Sequence, residues 1–503
     1  MLTIDEKATS PQNEKHPELV TTESVNSNDA DEALELVGLQ RESHFSEEYN
    51  LKLRRKLDWT IPPLCAAVYF TQFLDKNSLN YMSIMGFPIT GQDYNLVALA
   101  FYVGFFFWEF PTVYISQRLR LAKYLGVNVV LWGIVLMCHA IPNTFAPFFV
   151  LRILLGISLL PFSSVKKNEQ SRRISWFYVM NGLTQIFGGF VAYGISFSTS
   201  RFAPYKILVL VLGACAILVG IAVLLFMPDS PVHAPFLSRE ERIAALERVR
   251  DDQGGTENGK LKRAQVVEAL QDVRTWLIVL STLVTSIPNG GFGNYGAIVV
   301  KSFGYTTKQT LILQTPGGLM ASLATLALGW YSDKKNERMV PIIMSIIPTI
   351  VGAAMLVGLN GSNEKGALLF ATYIIGIYGS SLSLIYAYNA SNTSGHTKKL
   401  TTNALTLSAF SLANIIGTET FQPKDAPSFT PGKISILVLL SSQIGICLVL
   451  RWVNVRLNEK KKDGIAAMKE SNRWTEEDVR REREKHAFLD LTDKQNPFFV
   501  YTN

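Results

Sequence analysis

Runs of about twenty apolar residues recur along this chain from Thr60 to Val455, and they limit its fold more than any other feature. At roughly 1.5 Å per residue, each run is long enough as a helix to cross a hydrocarbon layer of roughly 30 Å. A soluble multidomain protein would instead carry amphipathic stripes, with charges at every third or fourth position. Here 48% of the 503 residues are hydrophobic and only 18% charged, and the charges gather between the runs. The predicted spans are 60–80, 95–115, 122–141, 145–165, 174–196, 205–227, 275–300, 310–331, 339–359, 366–391, 401–421 and 432–455. The fold class is therefore an all-α membrane protein of 12 transmembrane helices.

Six spans precede the one long polar break and six follow it, so the helices form two six-helix halves joined by a linker. Within the break, Ser238-Arg-Glu-Glu-Arg-Ile-Ala-Ala-Leu-Glu-Arg-Val-Arg250 reads as a capped amphipathic helix that Asp251-Asp-Gln-Gly-Gly255 ends. The chain divides into an acidic, disordered tail (1–51), a first half (52–227), a linker (228–274), a second half (275–456) and a second tail (457–503). Lys52, Arg54, Arg55 and Lys56, then Arg118, Arg120 and Lys123, then Lys334, Lys335 and Arg338 fall on alternate loops. The positive-inside rule puts those loops, the linker and both termini in the cytosol. The net charge of +7 is explained by this topology, and nucleic acid is not an expected partner. The start lacks a basic segment, apolar region and cleavage site in that order, so no removable signal peptide is expected and the first span does the targeting. Cys65, Cys138, Cys215 and Cys447 lie inside apolar runs without metal-site or disulfide spacing.

Ionisable groups inside a span are costly, which marks them as functional candidates unless they reach an interface. Asp75 and Lys76 sit deep in the first span and, as neighbours on a helix, point about 100° apart. They are either a working pair or a self-neutralising pair close to the outer surface. Arg152, in the fourth span, offers a guanidinium fork for a carboxylate, or else clamps helices through Glu109. Pro288-Asn-Gly-Gly-Phe-Gly293 in span 7 is expected to break the helix, with Asn289 and Asn294 facing either a substrate or a flexible gate. Gln314-Thr-Pro-Gly-Gly318 in span 8 is comparable. Asn181 and Gln185 in span 5, with Tyr386 and Asn389 in span 10, are further binding candidates, some of which serve as interhelical glue. No phosphate-cradling loop of the Gly-x-x-x-x-Gly-Lys-Ser/Thr kind occurs, and neither His139 nor His396 has metal-ligand companions, so no cofactor is expected. The sequon Asn360-Gly-Ser362 in an outer loop is a candidate glycosylation site.

Several local motifs occur in order along the chain: Phe73-Leu-Asp-Lys-Asn-Ser-Leu-Asn-Tyr81, Val150-Leu-Arg-Ile-Leu-Leu-Gly156, Met227-Pro-Asp-Ser-Pro231 and Ile287-Pro-Asn-Gly-Gly-Phe-Gly-Asn294. Ser394-Gly-His-Thr-Lys-Lys-Leu-Thr-Thr-Asn403 and Asp490-Leu-Thr-Asp-Lys-Gln-Asn-Pro497 complete the set. In these the chain resembles the major facilitator superfamily, and within it the fungal allantoate permease-like branch of the anion:cation symporters. The resemblance implies the major facilitator fold, working as a monomer in the lipid bilayer. It also implies proton-coupled uptake of a small organic anion such as allantoate, ureidosuccinate or nicotinate. Asp75 would take the coupling proton, and Lys76 would attract the anion. The family's loop signature appears as Gly329-Trp-Tyr-Ser-Asp333-Lys334 with Arg338 following, which implies a gate of interior contacts that break and reform. The equivalent loop, Gln117-Arg-Leu-Arg-Leu-Ala-Lys-Tyr-Leu-Gly126, lacks the matching glycine and aspartate. The fourth span is also short, with Leu159 where the family pattern has an acid, through divergence or an incorrectly assembled gene model. Two other readings therefore stay open: a non-transporting sensor or degenerate permease, and an exporter. The plasma membrane is the expected location, with the vacuolar membrane as the alternative.

Overall fold

The computed structural model of the chain describes residues 47–116, 119–157, 170–228, 234, 237–244, 262–335, 337–487 and 491–502. Each predicted span corresponds to a helix. The first half comprises α1 (Glu47–Met82), α2 (Gln92–Ser116), α3 (Leu121–Cys138), α4 (Phe145–Ile157), α5 (Gln170–Ile195) and α6 (Pro204–Phe226). The second comprises α7 (Val273–Ser302), α8 (Thr307–Lys335), α9 (Met339–Gly358), α10 (Lys365–Asn392), α11 (His396–Glu419) and α12 (Thr430–Asn472). The predicted tail up to residue 46, the end of the fourth span with Leu159, and the linker from 245 through Asp251–Gly255 lie outside the described residues.

Packing repeats with a shift of six helices. In the first half α3 packs on α6, and α1 on α5 and α6; in the second, α9 packs on α12, and α7 on α11 and α12. The halves meet along α5 against α8 and α2 against α11, which the same shift relates to each other. At the α5–α8 seam, a Cβ placed on Gly182 would run into the Gly318 carbonyl and the Ser322 hydroxyl, so only glycine permits that approach.

Span 7 departs from expectation. The helix α7 runs unbroken through Pro288, because its glycines allow close crossing rather than a break. A Cβ on Gly290 would lie 2.7 Å from Asn414 Cα on α11, and one on Gly417 of α11 would strike the Ile287 carbonyl. Two backbones in such contact hold each other helical despite the donor that proline lacks. In α8 the interruption does occur, at Gln314. Pro316 has no N–H for the carbonyl of Ile312, and the Thr315 hydroxyl donates to that carbonyl instead, at 2.8 Å. A second interruption, at Gly376 and Ile377 in α10, was not expected from sequence.

The loop signature, the linker helix Arg263–Gln271 and the start of α1 lie on one face, here called the basic side. Ser238 and Glu241 cap each other reciprocally at 3.2 and 2.8 Å, and Lys56 of α1 pairs with Glu241 at 2.7 Å. Rather than trailing away after α12, residues 491–502 fold back as a strap against this side. Asp493, 0% exposed at its side chain, pairs with Arg274 at 2.9 Å and Lys398 at 2.8 Å. Lys398 also meets Glu268 at 3.0 Å and Asp272 at 2.8 Å, and the Tyr501 ring lies 3.9 Å from the Arg274 guanidinium. Thr502 donates its N–H to Asn392 Oδ1 at 2.7 Å, and Asn454 Nδ2 donates to the Thr502 carbonyl at 2.9 Å. The strap thus joins the linker helix, α7, α10, α11 and α12 through a network of buried polar groups.

Candidate functional site

The divergence of neighbouring side chains on a helix decides how α1 uses its charged pair. Asp75, 1% exposed, turns into the first half. It accepts from Trp132 Nε1 of α3 at 2.9 Å and from Ser78 Oγ at 3.2 Å. Lys76 turns the other way, onto the wall of a cavity between the halves. Its ammonium is framed by the rings of Phe73 at 5.6 Å, Tyr102 at 6.0 Å and Phe410 at 5.5 Å. The two charges are therefore not a self-neutralising pair at the surface.

The wall around Lys76 is rich in carboxamides: Asn77, Asn80, Asn181, Gln185, Asn289, Asn294 and Gln314, with the hydroxyl groups of Tyr81, Tyr378, Thr325 and Thr372. Among the described residues that line the cavity, Lys76 is the only Asp, Glu, Lys, Arg or His. Both halves contribute, and second-layer bonds fix the amides. Asn289 donates to Asn414 Oδ1 at 2.8 Å and accepts from Tyr378 at 3.1 Å; Asn294 donates to Thr418 Oγ1 at 3.1 Å; Asn77 donates to Thr184 Oγ1 at 3.2 Å. Such a surface can hold a small molecule carrying one negative charge together with several polar groups that both donate and accept.

Away from the basic side, the two halves close over the cavity. Asn80 of α1 accepts from the Ala297 N–H of α7 at 2.8 Å and donates to Gln314 Oε1 of α8 at 3.1 Å. Tyr94 of α2 donates to the Asn294 carbonyl at 2.9 Å, Asn95 donates to the Phe421 carbonyl at 3.2 Å, and Tyr295 donates to Asn95 Oδ1. Tyr295 stacks on Phe421 with centroids 5.5 Å apart, and Phe429 packs edge-on beside them. Aromatic packing and buried hydrogen bonds together make this the sealed end.

Of the residues expected to bind substrate, Lys76, Asn181, Gln185, Asn289 and Asn294 line the cavity, whereas Arg152, Tyr386 and Asn389 do not. Arg152 is 3% exposed, buried in the first half behind the cavity wall. Its Nε and Nη2 have no hydrogen-bond partner among the described residues, and neither does Glu109 Oε2, so the alternative Arg152–Glu109 clamp is not formed through these atoms. Asn389 is committed to interhelical bonding, donating to Asn403 Oδ1 at 2.8 Å and accepting from Thr393 at 2.9 Å. Asn77, Asn80 and Gln314 were not anticipated as wall residues. For the first two the signal is the spacing Phe73, Asn77, Asn80, which continues the Lys76 face of α1 at helical intervals.

At the loop signature, Gly329 is buried in α8, and Arg338 donates from Nη1 to Asp333 Oδ1 at 2.8 Å and to Ser332 Oγ at 2.6 Å. The Lys334 ammonium lies 4.7 Å from the Trp330 ring centroid. The exposed Asn360 donates to Thr430 Oγ1 at 3.1 Å and accepts from Lys433 at 3.3 Å.

Comparison with known proteins gives a uniform picture. A model of the Major Facilitator Superfamily matches residues 64–418. The allantoate permease of Saccharomyces cerevisiae is 33% identical, the alignment covering 95% of this chain and 91% of that protein. The thiamine pathway transporter THI73 of the same yeast is 31% identical over 96% and 95%. Among solved structures, the proton:xylose symporter XylE superposes with a TM-score of 0.59 at 14% identity, covering 76% of this chain and 94% of that one. An inward-facing, occupied bacterial homolog of the lysosomal transporter Spinster gives 0.54 at 14%, over 81% and 98%. At such identities the structural likeness speaks for the fold alone.

Proposed function

The chain belongs to the major facilitator superfamily, and on that premise we propose that this transporter takes up a small organic carboxylate together with a proton. The observation that carries the reading is Lys76, among the described residues the one charged side chain on a cavity wall rich in carboxamides, hydroxyls and small residues. An ammonium at a low-dielectric site attracts an anion, and the surrounding amides suit a substrate that also bears ureido or carboxamide groups. Allantoate, after which one relative is named, is a molecule of that kind.

Proton coupling is assigned to Asp75. It is the sequence neighbour of Lys76, yet it faces the helix bundle, held by Trp132 and Ser78. Protonation there would change the charge of the pair without displacing the anion from Lys76. The basic side is read as cytosolic. The closure by Asn80, Tyr94, Asn95 and Tyr295 would then part as the halves rock, and the Asp333–Arg338 contact would rearrange at the inner end. Asn181, Gln185, Asn289 and Asn294 complete the proposed substrate wall, in a monomer of the plasma membrane.

Uptake of radiolabelled carboxylates by yeast cells with and without the gene, at acidic and neutral external pH, tests this. The expected result is accumulation that grows as the external medium is acidified and is lost in Asp75→Asn. Uptake indifferent to pH, with Asp75→Asn fully active, would reject the coupling role. An intact chain that moves no carboxylate would favour a sensor.

A further inference from the structure

One polar group of a cavity-wall residue has no hydrogen-bond partner among the described residues. Gln314, 7% exposed, sits at the interruption of α8, and its amide nitrogen is buried without a hydrogen-bond partner. Which end of that amide is left over follows from its neighbours. The Ala297 backbone N–H can only donate, so the atom of Asn80 that it meets at 2.8 Å must be the oxygen. The nitrogen of Asn80 is thereby turned toward Gln314, and at 3.1 Å it requires an oxygen there. Gln314 therefore presents its Oε1 to Asn80, leaving Nε2 as the spare donor. Its backbone carbonyl is also engaged, accepting from Gln185 Nε2 at 3.3 Å.

A buried amide nitrogen with no acceptor is destabilising, and exchange for an apolar side chain of equal size would remove the penalty. A donor kept on the wall of a cavity suits an acceptor that arrives with the substrate. We infer that Gln314 is a substrate-recognition residue whose Nε2 donates to a carbonyl oxygen of the substrate other than its carboxylate. While the outer end is sealed, Asn80 is its positioning residue, since the bond from Asn80 Nδ2 is what turns the nitrogen free. The anionic end goes to Lys76, because a charged pair outweighs a neutral donor for the same carboxylate. Gln314 thus discriminates between acids of equal charge by the presence of a second carbonyl, and it does so from the second half while Lys76 acts from the first. A site that hydrogen-bonds a substrate group rejects the analogue lacking it far more strongly than an apolar pocket would.

The inference rests on the proposed function, and the experiment separates the two. Cells expressing the full chain are offered a labelled ureido acid and the matched acid in which the ureido carbonyl is replaced by methylene. Wild type is expected to take up the ureido acid with a KM about tenfold lower. In Gln314→Met that ratio is expected to fall to about one through loss of affinity for the ureido acid, with the KM of the matched acid little changed. Asn80→Ala, which frees the amide to rotate, is expected to reduce the ratio by less. Uptake of the pair by wild type with the ratio unaltered in Gln314→Met would overturn the inference and leave the transport reading standing. Uptake of neither compound by wild type would overturn both. Thermal unfolding of purified wild type needs no variant: a shift with the ureido acid that the matched acid fails to reproduce supports the assignment, and equal shifts overturn it.

Discussion

Replacing Asp493 with alanine removes the acid at the centre of the strap. Three side chains are left facing the gap. Lys398 keeps Glu268 at 3.0 Å and Asp272 at 2.8 Å, so it remains compensated. Arg274 keeps Asn454 at 3.2 Å, the Asn392 carbonyl at 3.0 Å and the Tyr501 ring, and loses its carboxylate partner. The Tyr501 hydroxyl loses an acceptor at 2.9 Å. Taking one partner from a buried ion pair costs about 3–5 kcal/mol, and the remaining partners of Lys398 place this case near the lower figure. The strap's other anchors are hydrogen bonds of about 1 kcal/mol net each, so release of residues 491–502 is expected before the bundle unfolds. Hydrogen exchange on the purified protein reads this directly. Thr492 to Thr502 should lose protection by a factor of about 100 while α7 to α12 change little. Lys494→Ala serves as a control, because that side chain is 43% exposed and lies 3.6 Å from Asp272; its effect should stay below about 1 kcal/mol. Equal protection of the strap in wild type and Asp493→Ala would refute the reasoning.

Three further outcomes are expected. Burial opposes the charge on Asp272, but hydrogen bonding and attraction from Lys398, with Arg274 and Lys494, prevail and hold its carboxyl below the ordinary aspartate value of 3.8. Its stabilisation is present above that value and is lost as pH falls through the folded pKa. Burial likewise opposes the charge on Lys398, yet Asp493 and Asp272 raise it above 10.5, so its contribution is complete below 10.5 and fades as pH rises through the folded value; strap protection followed against pH should therefore plateau between these limits and decline outside them. Gly182→Val inserts bulk against the Gly318 carbonyl, and should destabilise the α5–α8 seam by about 1–3 kcal/mol and impair transport by protein that still reaches the membrane; undiminished uptake would contradict the close approach. Glycosidase treatment should shift the gel mobility of wild type and leave Asn360→Gln unchanged, placing the loop after α9 on the outer side.

Much of this architecture is legible in the apolar runs, because each span must be long and nearly charge-free whatever its neighbours are. The direction of Lys76 was also accessible, since residues at helical spacing share a face. Other features depend on partners far away in sequence. Pro288 and its glycines read locally as a break, yet α7 is uninterrupted where Asn414 and Gly417, over a hundred residues on, pack against it. Arg152 reads as a ligand for an anion because its chemistry permits it, and its burial behind the cavity follows from how α4 packs on α2. The strap is the clearest case. Leu491 to Thr502 have no helical periodicity and much polarity, which resembles a solvated tail, and its order comes from charge complementarity with Arg274 and Lys398. Gln314 falls in a segment whose proline and glycines speak for the backbone, and the orientation of its amide is set by Asn80, far earlier in the chain.

The central claim, that Lys76 holds a carboxylate while Asp75 accepts the proton, is tested most directly in proteoliposomes with an imposed pH gradient. Wild type should concentrate a labelled ureido acid against its gradient when the interior is alkaline. Lys76→Gln should raise KM by about 10- to 100-fold, as expected for loss of a charge-assisted contact of about 1.5–3 kcal/mol. Accumulation independent of the pH gradient, or unchanged KM in Lys76→Gln, would contradict the account.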